Sequence, residues 1–455
     1  MKFREGLTFC GALALTGVLI TGCSDDGESG EPTIDQQLRA AMGDAGMTEL
    51  DPGPAPETAK VVLGQVLMFD KELSGNRDIS CATCHHPLLH TGDGLSLSIG
   101  TGGRGLGPSR RLGEGRGFIP RNAPEIFNRG AQDWTTMFWD SRVSGTAAAG
   151  FMTPAGDTLP SGLDSVLAAQ ALFPVTSRDE MRGALGDVDV LGEPNELAMI
   201  PDDDLPGIWA AIMQRLLAIP TYVALFNEAF PDVAVEEMGL QHAANAIAAY
   251  EIRFWTLLDS PWDRYVAGDD TALSAGAKRG ALLFFGEGRC AQCHSGNLFT
   301  DQQHHNVGVP QVGPGKGAEA PLDFGRFRET GDESDRYAFR TPPLRNVAIT
   351  GPWMHDGAFS TLDGAVSHQL DPETSLRTYD VEQLDPRLRE TFQGDENTIM
   401  AILANLDPLL ATPLTLSDAE VNQILVFLEA LTDPAAADLS SDIPESVPSG
   451  LPIDD

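Results

Sequence analysis

Two short segments carry residues able to do chemistry: Cys81-Ala82-Thr83-Cys84-His85 and Cys290-Ala291-Gln292-Cys293-His294. Both read C-x-x-C-H. Two thiols at this spacing can each form a thioether to a vinyl group of haem, and the adjacent His then lies under the iron as its proximal ligand. A zinc site would need four ligands drawn from both motifs at once, and a redox dithiol has no need of the His. Of the six Cys, Cys10 lies in an N-terminal apolar run and Cys23 closes Ile20-Thr21-Gly22-Cys23, which resembles a bacterial lipobox. The other four belong to the two motifs, so no disulfide framework is left. Two covalently bound haem c groups are the expected cofactors.

The elements that must position these motifs form a weak internal repeat. Leu63-Gly64-Gln65-Val66-Leu67-Met68-Phe69-Asp70 precedes the first motif and Arg279-Gly280-Ala281-Leu282-Leu283-Phe284-Phe285-Gly286 precedes the second. Each is apolar at helical spacing, and each leads through a Gly-containing turn into its Cys pair. Between them, Leu205 to Tyr265 reads as strongly helical. One helix opens at Pro206-Gly207 and runs to about Leu217, and a second spans Glu236 to Leu258. The expected fold is mainly α, with two cytochrome c-like helical domains, each around a covalent haem, joined by a helical section. The expected boundaries are 1–22 for a lipoprotein signal peptide and 23–54 for a tether and N-terminal extension. The first haem domain with its helical section takes 55–265, the second 266–435, and a flexible tail 436–455.

The 455 residues suit two or three domains, and 42% hydrophobic residues suffice for real cores. A formal net charge of −36 argues against nucleic acid and anionic lipid surfaces as partners. It suits a basic electron-transfer protein, or simply keeps an exported protein soluble. Lys2, Arg4 and the apolar run Leu7 to Ile20 have the form of an export signal, too short for a comfortable membrane span. With lipidation at Cys23, the membrane is reached only through a lipid anchor. The expected location is the periplasm or outer membrane of a Gram-negative-type bacterium.

Several ordered segments resemble the bacterial di-haem cytochrome c peroxidase family, which includes the methylamine-utilisation enzyme that matures a tryptophan-derived cofactor in another protein. They are Leu73-Ser74-Gly75, Ser98-Ile99-Gly100, Arg121-Asn122-Ala123-Pro124, Phe138-Trp139-Asp140-Ser141-Arg142, Arg178-Asp179-Glu180-Met181, and Arg340-Thr341-Pro342-Pro343-Leu344-Arg345-Asn346 running on to Gly351-Pro352-Trp353-Met354-His355-Asp356-Gly357. The likeness spans about residues 55 to 435.

The resemblance implies that peroxide reacts at the N-terminal haem, with His85 as proximal ligand. Many members block this iron with a His after the Ser-Ile-Gly segment. Here that place holds Thr101, a poor ligand, so an open iron is expected, with His86 and His90 as alternative blockers. Glu180, followed by Met181, matches the acid that moves a proton between the peroxide oxygens, and Gln170 and Pro174 match its companions. Trp139 matches the residue between the haems. Asn122 and the carbonyls of Thr350 and Pro352 match ligands of a Ca²⁺ between the domains, all oxygen donors as that ion requires. A loop of roughly twenty extra residues, including Phe151 to Leu163, could reshape the mouth of the site.

The C-terminal haem takes His294 as proximal ligand. The family's distal Met or Tyr lies fourteen residues after the His of His-Asp-Gly, and that place holds Gln369. His368 is the better iron ligand and is favoured, with Met354, His355 and a vacant position as alternatives. Met would give a high-potential electron port, whereas His or Tyr lowers the potential. Of the remaining His, His304 and His305 are propionate contacts or solvent-exposed, and His242 is structural.

The resulting expectation is a peroxidase that reduces hydrogen peroxide with electrons from a small redox protein, a cytochrome c or cupredoxin. The alternatives are a peroxide-dependent oxidase that modifies Trp or Tyr of a partner protein, and a non-catalytic electron carrier. A homodimer, common in the family, is among the expected partners.

Overall fold

The computed structural model describes residues 31–454. The expected signal peptide and the expected lipid anchor at Cys23 lie outside these residues.

The architecture is helix-rich, and each C-x-x-C-H motif is held by one pair of crossed helices. Thr58–Phe69 precedes the first motif and packs on Leu240–Trp255. Ala275–Phe285 precedes the second and packs on Asp418–Glu429. The two crossings share one device. A Cβ on Gly64 would overlap the Ala246 carbonyl and press on Tyr250 Cβ, and a Cβ on Gly280 would overlap the Gln423 carbonyl and press on Phe427 Cβ. Only glycine allows backbones to approach this closely. The sequence repeat is therefore a repeat of packing, and two cores form. One holds Leu63, Leu67, Ile247 and Tyr250, and the other Phe284, Phe299, Ile424 and Phe427.

The two ends of the described residues cross over. The helix Ile34–Asp44, with a Thr33 capping box, buries Leu38 and Met42 in the second core. There Asp35 pairs with Lys278 at 2.6 Å and accepts from the Tyr265 hydroxyl at 3.0 Å. In the other direction, residues 436–454 lie on the first module and overturn the expected flexible tail. Ala436, Leu439 and Val447 enter the first core. Trp255 Nε1 donates to Asp442 (3.2 Å), and the Ser449 hydroxyl donates to Asp70 (2.7 Å). Composition reads this Pro-, Ser- and Asp-rich segment as disordered, because its few apolar residues are too far apart to show a period. Their partners supply the missing burial.

The middle helices run Leu205–Leu217 and Pro220–Ala229, broken at Pro220, and then Leu240–Trp255. The last is shorter than the expected Glu236 to Leu258, since a 3₁₀ turn at Val235–Glu237 and Gly239 set its start. His242 bonds only its own helix start, a structural role. The long loop after Trp139 folds into a small antiparallel sheet, Thr136–Met137, Val143–Thr146 and Gly150–Met152. No single helix among the described residues is long and apolar enough to cross a membrane.

Candidate active site

Two cavities of similar size, about 170 and about 200 Å³, open beside the two motifs. The first is lined by Cys81, Cys84 and His85, and the second by Cys290, Cys293 and His294. His85 Nδ1 lies 3.0 Å from the Thr91 carbonyl, and His294 Nδ1 lies 2.9 Å from that of Phe299. Each bond fixes the ring and leaves Nε2 as the nitrogen available to a metal. Burial keeps both imidazoles neutral by lowering their pKa, and it pushes the thiols of Cys81 and Cys290 up to about 12. Paired thiols and a fixed neutral imidazole suit a covalent haem in each cavity, and the wall of the second is otherwise largely apolar.

Glu180 and Gln170 both line the first cavity, with Pro174. Glu180 sits on a π-helical turn, Arg178–Arg182, whose end at Gly183 needs a positive φ of 88°. The turn is pinned from below: Thr101 N–H donates to the Glu180 carbonyl (2.8 Å) and Gly75 N–H to that of Met181 (2.8 Å). Gly100 has no room for a Cβ against the Asp179 carbonyl. Burial raises the Glu180 carboxyl above its ordinary range, against the opposing charges of Arg142 and Lys316. Thr101 donates its hydroxyl to Asp78 (2.8 Å) and is absent from the cavity wall. His86 accepts from Leu88 N–H, and His90 bonds the Ala436 carbonyl. Neither lines the cavity, and among the described residues His85 is its only His. The extra loop from Phe151 to Leu163 also stays off this wall, because Ala155 and Leu163 are buried in the core beneath it.

Trp139 and Arg340 line both cavities. Trp139 Nε1 donates to the Asn122 carbonyl (3.0 Å), and its ring lies edge-on to His355, 6.5 Å between centroids. His355 in turn stacks on Phe339 at 3.5 Å, and burial lowers its pKa to about 3. The modules are clamped beneath this string by Arg121. It bonds Asp323 in bidentate fashion (2.6 and 2.9 Å) and Asp140 (2.5 Å), all buried. Burial alone would raise Asp323, but the Arg121 charge holds it at about 2.

Around the second cavity, the favoured distal ligand His368 is turned away. Its ring is fully buried between Ser375 Oγ (2.9 Å) and the Val307 carbonyl (2.8 Å), and it does not line the cavity. On the helix Leu362–Leu370, the residues facing the cavity are Leu362, Ala365, Val366, Gln369 and Leu370. His368 is held off the wall by its own two hydrogen bonds, while its neighbour Gln369 lines the cavity. Gln369, Met354 and His355 remain at its wall. His305 is also there rather than in solvent, held between Asp301 (3.0 Å) and Asp407 (2.6 Å). The hydrogen bond to Asp301 leads in raising its pKa, with Cys293 and Asp407 adding to it. His304 Nε2 bonds Ser141 Oγ (2.9 Å) across the module boundary.

Asn122 N–H donates to the His355 carbonyl (2.7 Å) and its amide NH₂ to that of Leu95 (2.8 Å). Its side-chain oxygen takes part in neither bond.

Sequence reasoning missed Lys316, Arg142, Glu251 and Arg129 at the first cavity. Burial lifts Glu251 to about 8, with Arg129 opposing. No motif surrounds Lys316 or Glu251. Only the fold brings them to the site.

The sequence profile of the di-haem cytochrome c peroxidase family matches residues 58–271. The methylamine utilization protein MauG of Methylorubrum extorquens is 31% identical over 400 residues, covering 87% of this chain and 91% of that protein. The cytochrome c551 peroxidase of Pseudomonas aeruginosa is 33% identical over 321 residues, 70% of this chain and 74% of the peroxidase. Among solved structures, a MauG-like protein associated with microbial copper homeostasis superposes with a TM-score of 0.59 at 25% identity, covering 88% of this chain and 96% of its own.

Proposed function

On the premise that this chain belongs to the di-haem cytochrome c peroxidase family, we propose that it reduces hydrogen peroxide to water in its first cavity with electrons entering through the second. The observation that carries this is an acid, Glu180, buried on the wall of a cavity where His85 is the only His among the described residues. Bound haem supplies iron redox chemistry, and in sum H₂O₂ + 2e⁻ + 2H⁺ gives 2H₂O. The chain supplies the rest. The Glu180 carboxylate takes the proton from one peroxide oxygen and returns it to the other, which then departs as water. Gln170, on the same wall, offers an amide to orient the substrate. Trp139 lies on the path between the cavities, and its hydrogen bond to the Asn122 carbonyl fixes the indole. Cys81 and Cys84, and Cys290 and Cys293, hold the two haems in modules 55–265 and 266–435, and Asn122, Thr350 and Pro352 hold Ca²⁺. The donor is a small cytochrome c or cupredoxin. Lipidation at Cys23 anchors the chain in the periplasm or outer membrane, a placement that rests on Ile20-Thr21-Gly22-Cys23 alone. The test is Glu180→Gln in holo-protein with both haems retained: peroxide turnover is lost, and unchanged turnover would refute the assignment.

A second reading is favoured by one observation. No Met or Tyr stands at position 369, the family's place for the distal ligand, and His368 faces away, which leaves Met354 as the one thioether that the described residues bring to the second cavity wall, from a different place in the chain. In that reading, the haems held by His85 and His294 would supply oxidising chemistry with peroxide as the oxidant, and a Trp or Tyr of a partner protein would be the electron source. A companion exported protein encoded beside this chain, covalently changed by peroxide only when the holo-protein is present, would select it.

A further inference from the structure

Five cations line the first cavity: Arg121, Arg129, Arg142, Lys316 and Arg340. Four are already engaged. Arg121 bonds Asp140 and Asp323, Arg142 bonds Asp140 (3.0 Å), Arg129 bonds Glu125 (2.8 Å), and Arg340 donates to the carbonyls of Phe138 and Thr341. Lys316 differs. Its ammonium makes no hydrogen bond and no ion pair among the described residues.

The backbone beneath this side chain is fixed. Lys316 N–H donates to the Leu322 carbonyl (3.0 Å), and its own carbonyl accepts from Arg328 (2.8 Å). Gly315, at φ 67°, leaves no room for a Cβ against Pro321. Gly313 N–H is held by the Thr391 hydroxyl (2.8 Å). The loop belongs to the second module yet delivers its lysine to the cavity of the first, across the Arg121–Asp323 clamp. An unpaired cation at a partly dehydrated wall is costly unless something anionic visits it. The carboxylates nearest in charge are Asp140, already saturated by two arginines, and Glu180.

We propose that Lys316 is a substrate-binding residue of the peroxide cavity, contributed by the second module to hold a small monoanion, hydroperoxide in turnover, opposite Glu180. The proposal rests on the peroxidase reading of this cavity. Lys316 would draw the deprotonated oxygen inward as Glu180 takes the proton, so that the two residues separate charge along one substrate. Burial, together with Arg121 and Arg142, lowers the Lys316 pKa to about 8, which leaves it charged at neutral pH and lets it lose that charge just above.

The test uses full-length holo-protein and two probes of the ferric iron in the first cavity, read by the shift of the haem absorption band. Azide is an anion and imidazole is neutral. In Lys316→Met, azide affinity should fall about tenfold while imidazole affinity stays within twofold, and Lys316→Arg should restore azide binding. In the native protein, azide affinity should decline as pH rises through about 8. Glu251, which ionises over the same range, adds to that decline, so the lysine's share is the part missing in Lys316→Met. Equal loss of azide and imidazole binding would mark a structural residue and overturn the proposal. Unchanged azide affinity in Lys316→Met would overturn it too, with the peroxidase reading intact. A native protein that binds neither probe would overturn both.

Discussion

The two haem cavities are built by the same means and finished differently. Both hang from a glycine-mediated helix crossing, Gly64 on Ala246 and Gly280 on Gln423, and both fix the proximal imidazole through Nδ1 to a carbonyl. Beyond that scaffold they diverge. The first is walled by Glu180, Gln170, Glu251, Arg142 and Lys316. The second is walled mainly by Val307, Val309, Leu344, Leu362, Val366 and Leu428. A polar wall can move protons and hold a charged substrate, whereas an apolar one excludes water and favours electron transfer without chemistry. The duplicated scaffold thus carries two different walls, most of whose distinguishing residues come from outside the crossing helices, Glu251 and Leu428 being on them.

The contrast can be broken most sharply at Glu180. Glu180→Gln should lower peroxide turnover by about 10²- to 10⁴-fold without changing haem content, measured by stopped-flow peroxide decay. The equivalent change on the second cavity, Gln369→Leu, should leave the peroxide reaction of the first haem nearly untouched. Under the proposed role the carboxylate of Glu180 is the active form, and burial raises its pKa. Activity should therefore fall, as pH drops, at a higher pH than an exposed carboxylate would allow, and Glu180→Gln should remove that limb from the rate profile.

The clamp that joins the cavities comes next. Arg121→Ala leaves Asp140 and Asp323 buried with too little counter-charge and should cost about 3–5 kcal/mol, read as a drop in thermal midpoint. A smaller effect sharpens the second cavity. Gln369→Met should raise the reduction potential of the C-terminal haem in a spectroelectrochemical titration, because a thioether at this wall stabilises the reduced iron. The smallest change is His368→Ala. It should cost about 1–3 kcal/mol through the orphaned Val307 carbonyl and Ser375 hydroxyl, yet leave both haem spectra as they are. A lost low-spin band in that variant would restore His368 as a ligand.

What the sequence discloses follows from what is local. The C-x-x-C-H motifs, the apolar runs around Gly64 and Gly280, and the flanking segments of Glu180 and Trp139 are contiguous and patterned, so the helical fold and the core of the site are legible. The side of a helix is harder to read at a single position. His368 has the right chemistry, but the helix Leu362–Leu370 presents its neighbour Gln369 to the cavity. Residues with no pattern around them are invisible until the chain folds. Lys316 sits in a Gly- and Pro-rich loop of the other module, and Glu251 on a helix face that reads simply as core. The tail escapes for the same reason, since Leu439, Asp442 and Val447 gain meaning only against Trp255 and the first core.

The central claim is that the two irons differ in access. An EPR spectrum of the resting ferric holo-protein, before and after one equivalent of hydrogen peroxide, tests it directly. The account predicts a high-spin signal from the haem held by His85 beside a second, distinct signal from the haem held by His294, with the high-spin signal lost on adding peroxide. Two low-spin signals that ignore peroxide would contradict it.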